Sequence, residues 1–546
     1  MIVLRTLTSR WGLSLAIVAG LLPMFWMEPG LVAKSEDFLL PLTLERWLGF
    51  FSTWAPDAGL GASPDDRLPA VFFLFWPALF RGLGFSIEFA QRLQFTTWFM
   101  AAGLAMYFLV GRLSSRELVR TGAVLIYLFN FYQEPMWQGV NIANLSAYVA
   151  LPLMLGLAIQ AVRNGSLWTS AGQMALASVI GSGVASNPPM ALVAVLPIPI
   201  YLLLYIVHRF ATRKSAQAWW AIRFSVLALV LVLLANVYWL APQVVGLLTA
   251  GPSEIFKLAG TRASALTQLV ALSASTPALN VLRLQGHWVW YGAFNSTPYV
   301  PHAPTLLAAP PAILASVLPI GLALVGLVTT RDRRLLVLGF VGALGLFISM
   351  GVNGPSGFIF SWAWDNVPGF WVLRSPWYKA TALTVLGAAP LAGFGIAAVS
   401  DWLSNSPFGS WARRVSSGRV SWLVNALGPV VILSSTLLFA APLVRGDIFR
   451  VSTSESPLPG QVVELPDSLH EAADWLAEQP GEFRVLSFPP ANRMTTDWGF
   501  TSYLTPLGEL MSQQPIMTLR DPPEASAAIY KALLRGQGQT AITMLQ

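Results

Sequence analysis

The chain has 546 residues, of which 55% are hydrophobic and 11% charged, with a net charge of +7 and a mean hydropathy of +0.60. This composition indicates many membrane-spanning helices rather than a single anchor. The absence of cysteine excludes disulfides, thiolate catalysis and Cys-based metal sites. The basic residues fall mostly in short loops between apolar segments, so membrane topology explains the positive charge better than a nucleic-acid partner does.

Eleven apolar runs approach the roughly 17–25 residues that a spanning helix needs. They lie near residues 11–28, 93–111, 120–133, 142–162, 167–186, 189–207, 223–248, 305–329, 335–351, 377–400 and 421–444. A further run, 69–84, contains Pro69, Pro77 and Arg81 and suits a regular span poorly. If it does not cross, every short basic loop is cytoplasmic, as the positive-inside rule expects. We therefore predict an all-α polytopic protein of the plasma membrane with about 11 spans, a cytoplasmic N-terminus and an external C-terminus.

This topology makes residues 1–444 a transmembrane domain with long external loops at about 28–92, 249–304 and 352–376. From about Arg445 the composition becomes that of a soluble domain. Apolar residues at helical spacing predict a helix over 469–476, a strand follows at 482–488, and a second helix begins after Asp521-Pro522-Pro523. We expect residues 445–546 to be an external α/β region, and the chain to be part of a longer protein.

Two adjacent acids, Glu36 and Asp37, follow the first apolar run, on the side of the bilayer opposite Arg5 and Arg10. Charge at this depth is costly unless it has a partner or a task. We predict that this pair is the reaction centre of a membrane enzyme, the alternative being a solvated loop. The shorter side chain of Asp37 slightly favours it as the catalytic base, but the sequence leaves the choice between the two open.

Several catalytic motifs are absent from the sequence. There is no GxxxxGK[ST] loop, no HExxH and no GxSxG, and the four histidines do not form a metal cluster by their spacing. The predicted spans hold few ionisable residues near their middle, which disfavours an ion-coupled transporter.

Glycosyl transfer from a polyprenyl-phosphate sugar fits the external groups. A carboxylate takes the proton of the acceptor hydroxyl, and cations stabilise the charge that develops on the leaving phosphate. The candidate phosphate-binding residues are Arg374, Lys379, Arg283, His287 and His302, and the candidate substrate-stacking aromatics are Trp54, Trp288, Trp290, Tyr291 and Trp371. Each has a plainer interpretation as a membrane anchor, a satisfied loop residue or part of the aromatic belt. A divalent cation is a candidate cofactor, with no assigned ligands.

Four stretches give the chain a family resemblance. They are TWAPDAGLGASPDDRLP after the first span, LSASTPALNVLRLQGHW in the second long loop, NVPGFWVLRSPWYKA in the third, and FRVLSFPPANRMTTDWG in the tail. With the acidic pair after the first helix and GRLSSR after the second span, the chain resembles GT-C membrane glycosyltransferases. More narrowly it is similar to AftD-type arabinofuranosyltransferases, although each motif matches at only a few positions.

The resemblance implies transfer of arabinofuranose from decaprenyl phosphate to a cell-envelope glycan, with the catalytic carboxylate at Glu36 or Asp37. The sequence departs from the family in its shorter length, and in the third loop, where Arg374 and Lys379 stand in different surroundings from the family's F-R-N-x-x-K-F pattern. This departure concerns the sugar more than the reaction class. The alternatives are a transporter or flippase of lipid-linked glycans, and a non-catalytic scaffold for envelope assembly.

Overall fold

The structure is a computed structural model of the whole chain. It describes residues 11–34, 43–51, 67–258, 262–330, 332–355, 357–406, 430, 434, 440–450, 460–481, 483, 485–486, 494–495, 498, 501–502, 516–517 and 523–545. Three of the predicted site residues, Glu36, Asp37 and Trp54, lie outside the described residues, as does most of the predicted span 421–444.

The described part of the chain is predominantly helical. In chain order its α-helices are α1 Trp11–Gly20, α2 Leu44–Gly49, α3 Val71–Gly82, α4 Ile87–Gly111, α5 Glu117–Leu128, α6 Gln133–Gln138, α7 Ile142–Asn164, α8 Leu167–Ile180, α9 Pro188–Val195, α10 Pro197–Ala211, α11 Ser215–Ala235, α12 Val237–Leu258, α13 Arg262–Ser273, α14 Ala278–Leu282, α15 Ala303–Ala308, α16 Pro310–Thr329, α17 Arg333–Met350, α18 Gly357–Asn366, α19 Pro376–Asn405, α20 Ala441–Arg445, α21 Asp467–Glu478, α22 Pro523–Leu534 and α23 Gly538–Leu545. Short 3₁₀ turns lie at Leu22–Phe25, Leu68–Ala70, Ser182–Ser186, Trp288–Trp290 and Phe370–Leu373.

Seven helical segments among the described residues are long and apolar enough to cross a membrane. They are Ile87–Gly111, Ile142–Arg163, Pro188–Ala211, Ser215–Ala235, Pro310–Thr329, Arg333–Met350 and Pro376–Asn405. Two shorter apolar helical segments lie at Trp11–Phe25 and Leu68–Gly82. The chain is therefore a helical membrane protein, while the count of eleven spans and their orientation stay predictions.

Helix α19 lies at the centre of the helical core. Most of its residues are buried, and α16, α17 and α5 pack along it. Glycines make these approaches close: a Cβ at Gly326 of α16 would lie 1.9 Å from the Leu391 carbonyl oxygen, and one at Gly393 would lie 2.3 Å from that of Val119. Small residues at helix contacts let backbones pack tightly where lipid supplies no hydrophobic drive between helices.

One apolar run is divided between two helices, and the segment 69–84 forms a helix of its own. The run near 223–248 belongs to two helices, α11 and α12, which meet at Asn236. There the Asn236 side-chain amide donates to Ser178 Oγ at 2.7 Å and to the Val232 carbonyl at 2.9 Å. The segment 69–84 contains the 12-residue helix α3, whose Phe73 and Leu74 are buried.

Short strands join parts of the chain that are distant in sequence. The described strands are β1 Leu31–Ala33, β2 Ala293–Phe294, β3 Thr297–Pro298, β4 Val462–Glu464, β5 Val485–Leu486, β6 Met494–Thr495, β7 Thr501–Ser502 and β8 Ile516–Met517. They pair as β1–β4, β2–β3 and β6–β7 antiparallel and as β5–β8 parallel. The pairing of β1 with β4 brings the segment before the acidic pair against the C-terminal region. The division into a membrane domain and an α/β region stays a prediction.

Candidate functional site

The N-terminus of α19 forms one side of the candidate site. The third loop reaches it through the 3₁₀ turn Phe370–Leu373, and Pro376 occupies a first-turn position, where its fixed φ favours helix initiation. The first N–H groups of a helix have no carbonyl partner within it, and the Ser375 side chain does not cap them. This 30-residue helix therefore begins without a side-chain cap, and the positive end of its dipole favours a nearby anion.

Two predicted phosphate-binding residues meet at this helix end. Lys379 is 5% exposed, and its ammonium donates to Ser375 Oγ at 2.5 Å. The guanidinium of Arg374 donates through Nε to Gln268 Oε1 at 2.5 Å and lies close enough to repel the charge of Lys379. Two cations beside the positive end of a helix dipole are unfavourable unless an anion joins them.

A cavity of about 110 Å³ lies beside these cations. Its wall includes Ser375 and Gln268, the direct partners of Lys379 and Arg374, together with Trp377, His287 and Trp288. The space can hold several water molecules, or a group such as a phosphate in their place.

Two buried donors on the cavity wall have no partner among the described residues. These atoms are Trp377 Nε1 and Ser273 Oγ. Gly286 leaves room for the indole of Trp377, since a Cβ at Gly286 would lie 2.2 Å from its Nε1. A buried donor without an acceptor costs free energy, which an acceptor-rich ligand or water recovers.

His287, which also lines the cavity, is a further hydrogen-bond donor. Its Nδ1 accepts a hydrogen bond from the Val289 backbone N–H at 3.2 Å, and burial lowers its pKa to about 3. The ring is therefore neutral near pH 7, and its proton is on Nε2. The imidazole packs edge to face on Trp377 with ring centroids 5.2 Å apart.

Among the described residues, no Asp or Glu lines this cavity, and its polar lining consists of hydroxyls, one amide, an imidazole and indoles. With Lys379 and Arg374 bonded to two of the lining residues, the surroundings favour an anion or an oxygen-rich group.

Arg283 and His302 lie in other surroundings, away from the cavity wall. Arg283 donates through Nε to Ser316 Oγ at 2.7 Å and through a terminal nitrogen to the Leu306 carbonyl at 2.9 Å. His302 Nε2 lies 2.7 Å from Glu134 Oε1, and burial raises the pKa of Glu134. Both residues are held by protein groups, in contrast to the open donors of the cavity. That Arg283 and His302 bind the phosphate of a sugar donor stays a prediction.

The predicted stacking aromatics have different exposures. Trp288 is 42% exposed, lines the cavity and packs on His287 and Tyr299. Tyr291 is equally exposed, whereas Trp290 is 2% exposed between Phe131 and His302. Trp371 packs against the buried Phe360 and Trp364 cluster. A sugar can reach the faces of Trp288 and Tyr291 directly, but it reaches Trp290 only by displacing its neighbours.

Sequence reasoning missed several residues of this region. Trp377 and Ser375 stand within the loop motif that pointed to Arg374 and Lys379, and their position at the start of a span was the available signal. Glu134, 1% exposed, is an acid beside the apolar run 120–133, where a charge is costly. Nothing in the sequence singles out Gln268 as the partner of Arg374.

Two solved structures share the fold of this chain. The arabinofuranosyltransferase AftD from Mycobacteria matches with a TM-score of 0.56 at 17% identity, over 93% of this chain and 31% of the AftD chain. A mutant AftD matches with a TM-score of 0.57 at 17% identity, over 93% of this chain and 33% of that one. No family model and no curated protein matches the sequence. The chain spans about a third of the AftD chains it matches, and its predicted resemblance to AftD-type proteins is confirmed at the level of fold.

Proposed function

We propose that this protein is a membrane glycosyltransferase that transfers a sugar from a polyprenyl-phosphate donor to a glycan acceptor at the external face of the membrane. Arabinofuranose is the first sugar to test, because the chain shares its fold with AftD. The observation that carries the proposal is the cation pair Lys379 and Arg374 at the N-terminus of α19, beside a cavity whose lining residues Trp377 and Ser273 hold buried polar atoms that are unpartnered among the described residues.

In this proposal the cavity holds the phosphate of the donor. Lys379 and Arg374 bind its oxygens, the positive end of the α19 dipole favours its charge, and Trp377 and His287 are further hydrogen-bond donors. As the bond between the anomeric carbon and the phosphate oxygen breaks, the phosphate takes the electron pair, and these groups stabilise its charge. The exposed face of Trp288 is available to a sugar ring.

Glu36 or Asp37 acts as the base. The acceptor hydroxyl attacks the anomeric carbon as its proton moves to the carboxylate, and polyprenyl phosphate leaves with the bonding electrons. The pair follows Lys34, the last described residue of its segment, by two and three positions in the chain. The backbone N–H of Lys34 donates to the Gln461 carbonyl at 2.8 Å, so the chain two residues before Glu36 is bonded to the C-terminal region.

A transfer assay with separate donor-binding measurements tests the proposal. The full chain in nanodiscs is incubated with polyprenyl-phosphate sugars and a glycan acceptor, and binding of polyprenyl phosphate alone is measured in parallel. We expect Asp37→Asn combined with Glu36→Gln to lower kcat by roughly 10²–10⁴-fold, the contribution typical of general base catalysis. Binding of polyprenyl phosphate is expected to stay at the wild-type level in that variant.

The second arm of the same assay tests the cation cluster. We expect Lys379→Gln to weaken polyprenyl-phosphate binding by about tenfold or more, the loss of one charge-assisted hydrogen bond. The matched control is Lys214→Gln, since Lys214 is an exposed lysine at the N-terminus of another spanning helix, α11. Unchanged transfer by the double acid variant would remove the assigned base, and movement of lipid-linked sugar across the bilayer without transfer would make the protein a flippase.

A further inference from the structure

The oxygen and the nitrogen of the Gln91 side-chain amide both form hydrogen bonds with one residue of β1. Its Oε1 accepts from the backbone N–H of Ala33 at 2.6 Å, and its Nε2 donates to the backbone carbonyl of Ala33 at 2.8 Å. The Gln91 side chain is fully buried, as is Ala33. A single side chain thus makes the pair of hydrogen bonds that a neighbouring strand would make.

The opposite edge of β1 is already paired. Ala33 lies across from Val462 of β4, and the next residue, Lys34, donates its N–H to Gln461. Because hydrogen-bonding directions alternate along a strand, the N–H and carbonyl of Ala33 point away from β4. Gln91 therefore occupies the free edge of β1, so that the strand is held from both sides.

A long helix carries Gln91 and packs on β1 and β4. Gln91 lies near the start of the 25-residue helix α4, whose first residue Ile87 packs in a small buried cluster with Val32 of β1 and Val463 of β4. The apolar cluster fixes the distance between helix and strand, and the amide of Gln91 fixes the position of the strand along its own axis. A change of one residue in register would turn every side chain of β1 to the other face.

We propose that Gln91 is a positioning residue for glycosyl transfer: by its two hydrogen bonds to Ala33 it fixes the segment Leu31–Lys34, which Glu36 and Asp37 follow in sequence. This inference rests on the proposed function, in which that acidic pair supplies the base. Gln91 itself does not contact the reacting atoms in this proposal. Loss of this contact should lower kcat, because a base displaced by about 1 Å can lower the rate roughly 100-fold. Binding of the sugar donor should not change, since its phosphate site is not altered.

Gln91→Leu is the direct test, since leucine keeps the apolar volume and removes both hydrogen bonds. We expect kcat to fall roughly 100-fold with the KM for the donor within about twofold of wild type. Hydrogen exchange of the segment 31–34 is expected to accelerate about tenfold or more, as the Ala33 amide loses its acceptor. The matched control is Gln94→Leu: Gln94 is a fully buried glutamine on the same helix, but its amide donates to Phe73 at 3.3 Å and not to β1.

Gln91→Glu supplies a readout that loss of packing alone would not move. A protonated carboxyl can accept from the Ala33 N–H and donate to its carbonyl as the amide does, whereas the ionised form repels that carbonyl. We expect its kcat relative to wild type to be higher at about pH 5.5 than at about pH 8, because the native contact requires the protonated form.

The outcomes separate this inference from the proposed function. Transfer that is lost in the double acid variant but retained in Gln91→Leu would overturn the positioning role and leave the function in place. If Gln91→Leu and Gln94→Leu lowered kcat equally, the positioning role would also be overturned, because the effect would come from replacing a buried amide and not from the contact with Ala33. No transfer by wild type would remove the function, and this role with it.

Discussion

At the scale of single residues, burial and hydrogen bonding determine the charge state of His287. The ring lies between Trp288 and Trp377, and its Nδ1 is occupied by the Val289 N–H. Burial disfavours the imidazolium and lowers the pKa to about 3, against 6.5 for an ordinary histidine. His287 thus differs from Lys379 and Arg374: it offers a neutral donor rather than a charge to a ligand in the cavity.

The pKa of His287 predicts a loss of stability in acid. Between about pH 6.5 and 3 the unfolded chain binds a proton at this residue that the folded chain does not, so the free energy of unfolding falls as the pH falls through this window. His287→Gln keeps an acceptor for Val289 without a titrating group. We expect the unfolding temperature of the variant, measured in detergent, to rise relative to that of wild type as the pH is lowered. Above about pH 7 the two temperatures should differ little. The control is His470→Gln, because His470 is exposed. If His287→Gln and wild type lost stability equally as the pH fell, the low pKa assigned to His287 would be wrong.

Single residues of the candidate site were predictable only where their chemistry is conspicuous. Arg374 and Lys379 stand out because cations beside an apolar run are costly. The roles of Gln91, Gln268 and Trp377 depend on which atoms they meet across the fold, and amides and indoles are common in sequences of this kind. Residue type alone therefore pointed to the charges of the site and not to the groups that position them.

At the scale of elements, apolar length predicted individual helices well but not their contacts. The run 142–162 coincides with α7, and 335–351 with α17, because a spanning helix needs a continuous apolar stretch. The run 223–248 contains the end of α11 and the start of α12, and hydropathy does not register the break between them at Asn236. The packing of α16 on α19 depends on glycines whose neighbours are remote in sequence, such as Gly326 beside Leu391.

The close approach of α16 to α19 predicts that Gly326→Ala destabilises the protein. The new Cβ would lie 1.9 Å from the Leu391 carbonyl oxygen, which is backbone and cannot rotate away. We expect a loss of about 1–3 kcal/mol in the free energy of unfolding, the usual cost of overpacking, measured by thermal or denaturant unfolding in detergent. Gly321→Ala on the same helix is the control, because a Cβ there meets nothing within 4 Å. Equal stability of the two variants would contradict the packing described for α16.

At the scale of the whole molecule, the first and last parts of the membrane region pack together. Trp26 Nε1 donates to the Leu443 carbonyl at 2.8 Å, across 417 positions of sequence, and its ring packs on Phe449. Gly446, with φ of +87°, lies against the backbone of Trp26, where a Cβ would come within 2.8 Å. Strand β4 then follows and pairs with β1. The segment before the acidic pair is therefore built from both ends of the chain.

This arrangement could not be predicted from the sequence. A strand of three residues carries too little periodicity to be recognised, and its partner lies more than 400 residues away. Composition alone predicts residues 445–546 as a separate region. The pairing of β1 with β4 places Val462–Glu464 of that region against Leu31–Ala33, and the division into a membrane domain and an α/β region stays a prediction.

The pairing of β1 with β4 predicts a specific disulfide. Leu31 lies across from Glu464, and because Lys34 bonds to Gln461, alternation along the ladder makes Leu31 and Glu464 a non-hydrogen-bonded pair. The Cα atoms of such pairs are about 4.5 Å apart, within the range that a disulfide spans. Since the wild-type chain has no cysteine, Leu31→Cys with Glu464→Cys can form only this bond within one molecule. We expect mild oxidation to link the two, as detected by mass spectrometry of the joined peptides, and transfer activity to persist because the bond follows the native register.

Leu31→Cys with Val463→Cys is the control, since Val463 points to the opposite face of the strand. Linkage of the control pair in preference to the first, or loss of activity on linking the first pair, would show that β1 and β4 do not hold this register in the working protein.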